Sequence, residues 1–138
     1  MIDDESGQVL ERFRDLTLPK PEWTHEAHLR VCAASLAGAP AASVLRALRT
    51  GIRRYNEATG VDNTPTGGYH ETLTRYYVGA VSDLMASPAA PIATILTADR
   101  CSTTAPLRYW NRDTLFSPTA RLAWVAPDLE PFAWPDVA

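Results

Sequence analysis

The feature that most constrains this chain is a helical spacing of apolar residues that recurs along it. Apolar side chains three or four residues apart line one face of an α-helix, whereas strands alternate every second residue. The helical spacing recurs in four segments that proline, glycine and polar loops separate, at about residues 4–16, 21–37, 40–59 and 69–86. Almost no alternating pattern is present. The spacing therefore predicts an all-α fold, a small bundle of four to five helices.

The last third of the chain has a different sequence pattern, with short helices and irregular stretches. A short helix is expected over residues 91–98, and another begins at Pro118 behind a Ser117 cap. The remainder is an irregular, aromatic-rich C-terminal segment, which we expect to wrap across the bundle and cover one end of its core. Its aromatic residues are Tyr109, Trp110, Phe116, Trp124, Phe132 and Trp134.

Length and charge fit one domain over residues 1–138 and exclude several protein classes as first choices. A chain of this length folds without needing a disulfide or a metal. The formal net charge of −3 offers no basic excess for nucleic acid or anionic lipid, and no apolar run is long enough to span a bilayer. The acidic first residues do not form a secretory signal. We therefore expect a cytoplasmic protein with no nucleic-acid or membrane partner.

Two further biases of composition support this expectation. Lys20 is the only lysine among thirteen basic residues, and alanine is abundant. The preference for arginine and alanine is typical of a GC-rich bacterial genome. Cys32 and Cys101 are far apart in the sequence, and we expect both to be free thiols in a reducing compartment.

The three histidines of the chain lie at the openings of two predicted helices. His25 and His28 are three residues apart and share a helix face, and His70 opens the fourth segment. The apolar residues that follow predict that all three imidazoles point into the bundle. A helix N-terminus and partial burial both favour neutral imidazole, the form that binds a transition metal. The sequence therefore predicts a metal site at these histidines with one position left open.

The ligands do not determine which metal binds, because three imidazoles suit zinc, copper, nickel or iron. Glu71 is a candidate fourth ligand or general base, and Glu26 is a candidate partner behind the ligands. Tyr77 and Arg108 are candidate pocket groups, the first through its hydroxyl and the second as a clamp for a carboxylate or phosphate. Such a site would act on a small-molecule substrate by metal-assisted hydrolysis, group transfer or oxidation.

Other interpretations of the same residues stay open, and so does whether the protein is an enzyme. A buried network of structural histidines explains the pattern without a metal, and Cys32 fits better as a small buried hydrophobe. The protein would then be a non-catalytic module. It would dock a partner or a second copy, as a homodimer, through three exposed aromatic residues of the C-terminal segment, Trp124, Phe132 and Trp134. A small-molecule carrier with an apolar pocket between helices is the third hypothesis. Gly67 and Gly68 form either a hinge or an ordinary turn.

Three stretches carry a resemblance to a known family: WTHEAHL at 23–29, YHETLT at 69–74 and RYWNRDTLFS at 108–117. From about residue 23 to residue 131, the chain resembles a family of small bacterial proteins of similar length. The resemblance implies a single helical domain and no particular reaction. It also implies that four residues occupy the motif positions, namely His25, His28, His70 and Glu71.

Overall fold

The computed structural model of the protein describes residues 2–87 and 90–137 and confirms the predicted all-α class. The four longest helices in that part of the chain are α1 (Asp4–Arg14), α2 (His25–Gly38), α3 (Ala41–Ala58) and α4 (Glu71–Met85). The shorter helices are α5 (Ile92–Thr97), α6 (Arg112–Leu115) and α7 (Pro118–Leu122). No helix of the described residues is both long and apolar enough to cross a bilayer.

Side-chain caps begin the helices close to the predicted positions. Thr24 begins α2 and Ser117 begins α7, and each hydroxyl accepts the amide N–H three residues later at 3.2 Å. These hydrogen bonds satisfy amide groups that the first turn leaves without a partner. The short helix α6 was not anticipated. It begins at Asn111, whose side-chain oxygen accepts the N–H of Asp113 at 3.0 Å.

Helix α2 lies at the centre of the bundle, in contact with α1, α3 and α4. Its middle is buried on nearly every side, and several of the buried residues are alanines or other small residues. Small side chains allow neighbouring helices to approach closely. Leu29 and Cys32 are both buried here, as are Leu48 and Tyr55 on α3.

One charged side chain, Arg30, is buried within α2 and fixes α1 against it. Its guanidinium contacts Asp3 at 3.0 Å, Glu5 at 3.1 Å and Glu26 at 3.2 Å, and donates to the Ser6 hydroxyl at 3.0 Å. A buried guanidinium is tolerated only when its charge and its N–H groups are satisfied in this way. The expected role of Glu26 behind a metal ligand is therefore wrong, because its carboxylate pairs with Arg30.

The C-terminal segment covers one end of the core, as predicted. Trp110 is fully buried and its indole N–H donates to the carbonyl of Val125 at 2.9 Å. The rings of Phe132 and Trp134 stack with centroids 5.3 Å apart. Trp134 is buried, and Phe132 and Trp124 are half-buried against the same cluster. These three aromatic residues are therefore not the exposed docking groups that the interface hypothesis required.

Candidate functional site

A cavity of about 640 Å³ lies between the openings of α2 and α4 and the middle of α3. Aliphatic and aromatic side chains form most of its wall. Exposed Thr103 and Phe116, which is 47% exposed, also line it and mark its open side. All three histidines and Tyr77 line this cavity, so the structure brings these four predicted site residues to one space. Its wall includes Trp23, His25, His28, Cys32, Gly68, His70, Thr74, Tyr77 and Leu107.

His28 presents an unshared lone pair in this wall. Its ring stacks on Trp23 with centroids 3.7 Å apart, and Nδ1 lies 2.7 Å from the carbonyl oxygen of Thr24. A carbonyl oxygen can only accept, so Nδ1 carries the proton and Nε2 of the neutral ring is an acceptor. No described residue bonds Nε2, and this atom is not sealed from solvent. Burial lowers the pKa of His28 to about 4, so the ring is neutral near pH 7.

His25 offers a second acceptor. Its Nε2 lies 2.6 Å from the carbonyl oxygen of Cys101, which places the ring proton on Nε2 and leaves Nδ1 as an acceptor. No described residue bonds Nδ1. The ring meets that of Tyr77 edge to face, and the Tyr77 hydroxyl donates to the carbonyl of Ser102 at 2.6 Å. Both side chains are therefore anchored to the same turn of backbone.

His70 has a different role, because both of its ring nitrogens are engaged. It is the N-cap of α4: Nδ1 accepts the N–H of Leu73 at 3.1 Å, and Nε2 donates to the carbonyl of Leu115 at 2.7 Å. Burial lowers its pKa, which keeps the ring neutral. Only one ring nitrogen of a neutral imidazole can accept a hydrogen bond, and in His70 this nitrogen accepts from the Leu73 amide. The expectation that His70 is free to bind a metal is therefore wrong for this arrangement.

The predicted metal centre needs a rearrangement of the observed site. Within residues 2–87 and 90–137, no group of three or more His, Cys, Asp or Glu side chains is arranged to hold a metal ion. His25 and His28 each keep a lone pair, but His70 would have to release the Leu73 amide to join them. The centre of zinc, copper, nickel or iron at these three histidines stays a prediction.

Glu71, predicted as a ligand or base, does not line the cavity. Arg49 donates to both carboxylate oxygens, at 2.8 and 2.6 Å, and the Tyr69 hydroxyl donates to one of them at 2.8 Å. Burial alone would raise the pKa of Glu71, but these hydrogen bonds outweigh it and the pKa is lowered. The carboxylate is thus held by an ion pair that joins α3 to α4, and the general-base assignment is wrong in this geometry.

Arg108, predicted as an anion clamp, also lies away from the cavity wall. Its side chain is 70% exposed, and Nε donates to Glu130 at 3.0 Å. The guanidinium also lies over the Tyr109 ring, 5.8 Å from its centroid. The interpretation of Arg108 as a solvated side chain packed on an aromatic neighbour describes it better than the pocket assignment.

Asn63 shapes the loop that leads into α4, and the sequence analysis did not identify it. Its Oδ1 accepts the side-chain N–H of Asn56 and the backbone N–H of Tyr69, each at 3.0 Å. Its Nδ2 donates to the carbonyl of Arg53 at 3.0 Å. One side chain therefore ties the loop to α3 on one side and to the start of α4 on the other. The only sequence signal is an asparagine among turn-forming residues.

Gly68 completes this loop and lines the cavity. Its φ of 77° lies in the left-handed region, and a Cβ atom there would stand 2.5 Å from the carbonyl oxygen of Asp62. At Gly67 a Cβ atom would meet only the Thr64 hydroxyl, at 3.7 Å. The close packing at Gly68 supports the interpretation of this pair as a tight turn.

Burial favours the neutral forms of several titratable groups in and beside the wall. Burial raises the pKa of the Cys32 thiol and of the Tyr77 hydroxyl, and raises that of nearby Cys101 to about 11. Both cysteines are free, as predicted, and both are buried. A thiol that stays protonated is a poor nucleophile, and an imidazole with a pKa of about 4 is a weak base near neutral pH.

Comparisons of the chain with family models, curated proteins and solved structures find no match. The resemblance to the bacterial family therefore depends on the motif residues alone. Two of those residues, His25 and His28, present acceptors in the cavity wall, while His70 and Glu71 hold the start of α4.

Proposed function

We propose that this protein binds a small, largely apolar molecule in the cavity between α2, α3 and α4. One observation carries the proposal, a cavity of about 640 Å³ that is lined mostly by aliphatic and aromatic side chains and by a few fixed polar atoms. Ligand sites of proteins commonly have roughly 300–1,000 Å³ of space and this combination of surfaces. The cavity therefore has the size and the chemistry of a binding site.

The wall is fixed before any ligand arrives, which favours binding. His25 and Tyr77 are hydrogen-bonded to the backbone of residues 101 and 102, and His70 to that of residue 115. These bonds connect α2 and α4 to the segments that follow α5 in the chain. A preformed site loses little conformational entropy when it is occupied.

The pKa values of His28 and Cys32 favour binding over acid–base or nucleophilic catalysis by these two groups. His28 is a weak base because burial lowers its pKa to about 4. The Cys32 thiol stays protonated because burial raises its pKa. General bases work best when their pKa lies near the working pH, and neither group meets this condition near pH 7. The function we propose is that of a small-molecule carrier or sensor domain.

The test is a pair of substitutions that place the same large ring inside and outside the cavity. Leu107 is half-buried in the wall, whereas Leu129 is 56% exposed and does not line the cavity. We expect the neutral probe phenylnaphthylamine to show saturable fluorescence enhancement with the unmodified protein and with Leu129→Trp. Leu107→Trp places a larger ring in the wall of the cavity, and we expect this ring to obstruct the probe and abolish the saturable signal.

Thermal unfolding provides an independent measurement of the same binding. A ligand at one hundred times its dissociation constant stabilises the folded state by about 2.7 kcal/mol. We expect this increase in the unmodified protein and in Leu129→Trp, and not in Leu107→Trp. Equal probe binding by both variants, or no saturable binding to the unmodified protein, would show that the cavity is not the binding site.

A further inference from the structure

The cavity wall has no charged side chain to balance an ionic ligand. Among the described residues that line it, none is an Asp, Glu, Lys or Arg. Glu71, the carboxylate that the sequence predicts at this site, pairs with Arg49 instead. Transfer of an unpaired charge into an apolar space costs several kcal/mol or more. The wall therefore selects a molecule that is neutral when bound.

The polar hydrogens of the three wall histidines and of two wall hydroxyl groups already take part in hydrogen bonds. The ring N–H groups of all three histidines donate to backbone carbonyls, at 2.6–2.7 Å. The hydroxyl of Tyr77 donates to the carbonyl of Ser102, and that of Thr74 donates to the carbonyl of His70 at 2.8 Å. A ligand that needs strong donors from these side chains would have to break bonds that hold the wall in place.

Two imidazole acceptors of the wall remain, and they lie one turn apart at the start of α2. In each ring the other nitrogen faces a carbonyl oxygen, which leaves Nε2 of His28 and Nδ1 of His25 as the accepting atoms, and no described residue donates to either. An acceptor covered by an apolar ligand loses its hydrogen bond to water and gains nothing in exchange. A ligand that donates to it avoids that loss. These two imidazole acceptors therefore discriminate between ligands that can donate to them and ligands that cannot.

We infer that the ligand of this cavity is a neutral, largely apolar molecule with an O–H or N–H group that donates to Nε2 of His28, with Nδ1 of His25 as the second acceptor. This inference rests on the proposed binding function and narrows it to one chemical class. The aromatic surface beside the acceptor, where Trp23 stacks on His28, suits a ligand whose donor is attached to a flat ring.

The test compares three probes of the same ring system: naphthol, its methyl ether and naphthoate, substituted at the same position. Naphthol is neutral near pH 7 and donates one hydrogen bond, its methyl ether donates none, and naphthoate is an anion. We expect calorimetry to show naphthol binding about tenfold more tightly than its methyl ether, since an unpaired buried acceptor costs about that factor or more. Naphthoate is expected to bind most weakly.

The variant His28→Phe keeps a ring to stack on Trp23 and removes the acceptor. We expect it to bind naphthol and the methyl ether with equal affinity, whereas the control Leu129→Ala, on the exposed surface, keeps the tenfold preference. Nitrogen NMR of the unmodified protein gives a second measurement that needs no variant. The Nε2 resonance of His28 is expected to respond differently to the two probes, because naphthol donates to this atom and its methyl ether only covers it.

The outcomes separate this inference from the function on which it rests. Equal affinity of the unmodified protein for naphthol and its methyl ether, or tightest binding of naphthoate, would overturn the ligand class while leaving a binding cavity. A preference for naphthol that persists in a folded His28→Phe variant would overturn the role of His28. If none of the three probes binds, both the inference and the proposed binding function fail.

Discussion

At the scale of single residues, three histidines with similar surroundings in the sequence have three different states in the structure. Each state is determined by which nitrogen meets a carbonyl oxygen. His28 donates from Nδ1, His25 donates from Nε2, and His70 donates from Nε2 while accepting at Nδ1. Only the first two keep a lone pair in the cavity wall. The chemistry of the site therefore depends on tautomers, which residue type alone does not reveal.

The tautomers are directly measurable. Nitrogen–proton correlation spectra near neutral pH are expected to show His28 protonated at Nδ1, and His25 and His70 protonated at Nε2, because each of these atoms faces a carbonyl oxygen. A spectrum with His28 protonated at Nε2 would contradict the arrangement of acceptors on which the ligand class depends.

The free energy of unfolding is expected to fall as the pH is lowered, because the folded state keeps His28 neutral. The pKa is about 4 in the folded state and ordinarily 6.5, so the neutral ring contributes stability above pH 6.5 that is lost as the pH falls towards 4. Between about pH 7 and about pH 5 the expected loss is about 2 kcal/mol, measured by urea unfolding. The lowered pKa of His70 adds to the loss in the same direction.

The variant His28→Phe isolates this contribution. Its unfolding free energy should fall less between the same two pH values, because only His70 then contributes a lowered histidine pKa. The carboxyl groups with lowered pKa, Asp3, Glu71 and Asp128, lose their contribution mainly at more acid pH. An unchanged pH dependence in the variant would show that His28 is not buried in its neutral form.

At the scale of elements, the start of α4 is held by residues that the sequence analysis assigned to chemistry. His70 caps the helix, and Glu71 pairs with Arg49 of α3. The two hydrogen bonds of His70 connect the Leu73 amide of α4 to the carbonyl of Leu115 at the end of α6. The motif YHETLT is therefore explained first by the local structure it builds.

Two substitutions at His70 distinguish a cap from a metal ligand. His70→Ala should lower the unfolding free energy by about 1–3 kcal/mol through loss of both hydrogen bonds. Asparagine is a good N-cap but cannot replace the second bond, so His70→Asn should recover about 1 kcal/mol of that loss. Urea unfolding of the two variants measures the difference.

The same variants test the predicted metal centre. If zinc, copper, nickel or iron uses His70, the added ion stabilises the unmodified protein and this effect disappears in His70→Asn although the cap is kept. Such a result would contradict the capping role assigned here and support the three-histidine centre. We expect His70→Asn to respond to each ion as the unmodified protein does.

At the scale of the whole molecule, the C-terminal segment is a second layer of the core. Trp134 is buried under the guanidinium of Arg100, which lies 4.4 Å from its ring centroid, and its ring packs against Tyr76 and Phe132. The segment thus closes the end of the bundle where α4 and the turn after α5 meet. Its buried aromatic residues, such as Trp110 and Trp134, therefore contribute to the stability of the fold.

Two alanine substitutions test this role of the C-terminal segment. Trp134→Ala removes a buried ring and should lower the unfolding free energy by about 3 kcal/mol or more. Leu129→Ala changes a side chain of the same segment that is 56% exposed, and should change it by less than about 0.5 kcal/mol. Similar small effects for both would mean that the segment does not belong to the cooperative core.

The helices could be predicted from the sequence because their signals are local. Apolar spacing and caps such as Thr24 and Ser117 act within a few residues. The same spacing predicted that the three histidines face a common space, and all three line one cavity. The state of each histidine could not be predicted, since the carbonyl that His25 meets is 76 positions away and the one that His70 meets is 45 away. The Arg49–Glu71 pair likewise joins two helices.

The turn before α4 has a consequence for how the gene can vary. Gly67 and Gly68 are neighbours of identical type, yet only the second has both a left-handed φ and no space for a methyl group. A saturation library with every codon at both positions, selected for soluble expression, should recover many amino acids at Gly67 and glycine alone at Gly68. During evolution, substitutions are therefore expected to accumulate at codon 67, whereas purifying selection keeps glycine at codon 68.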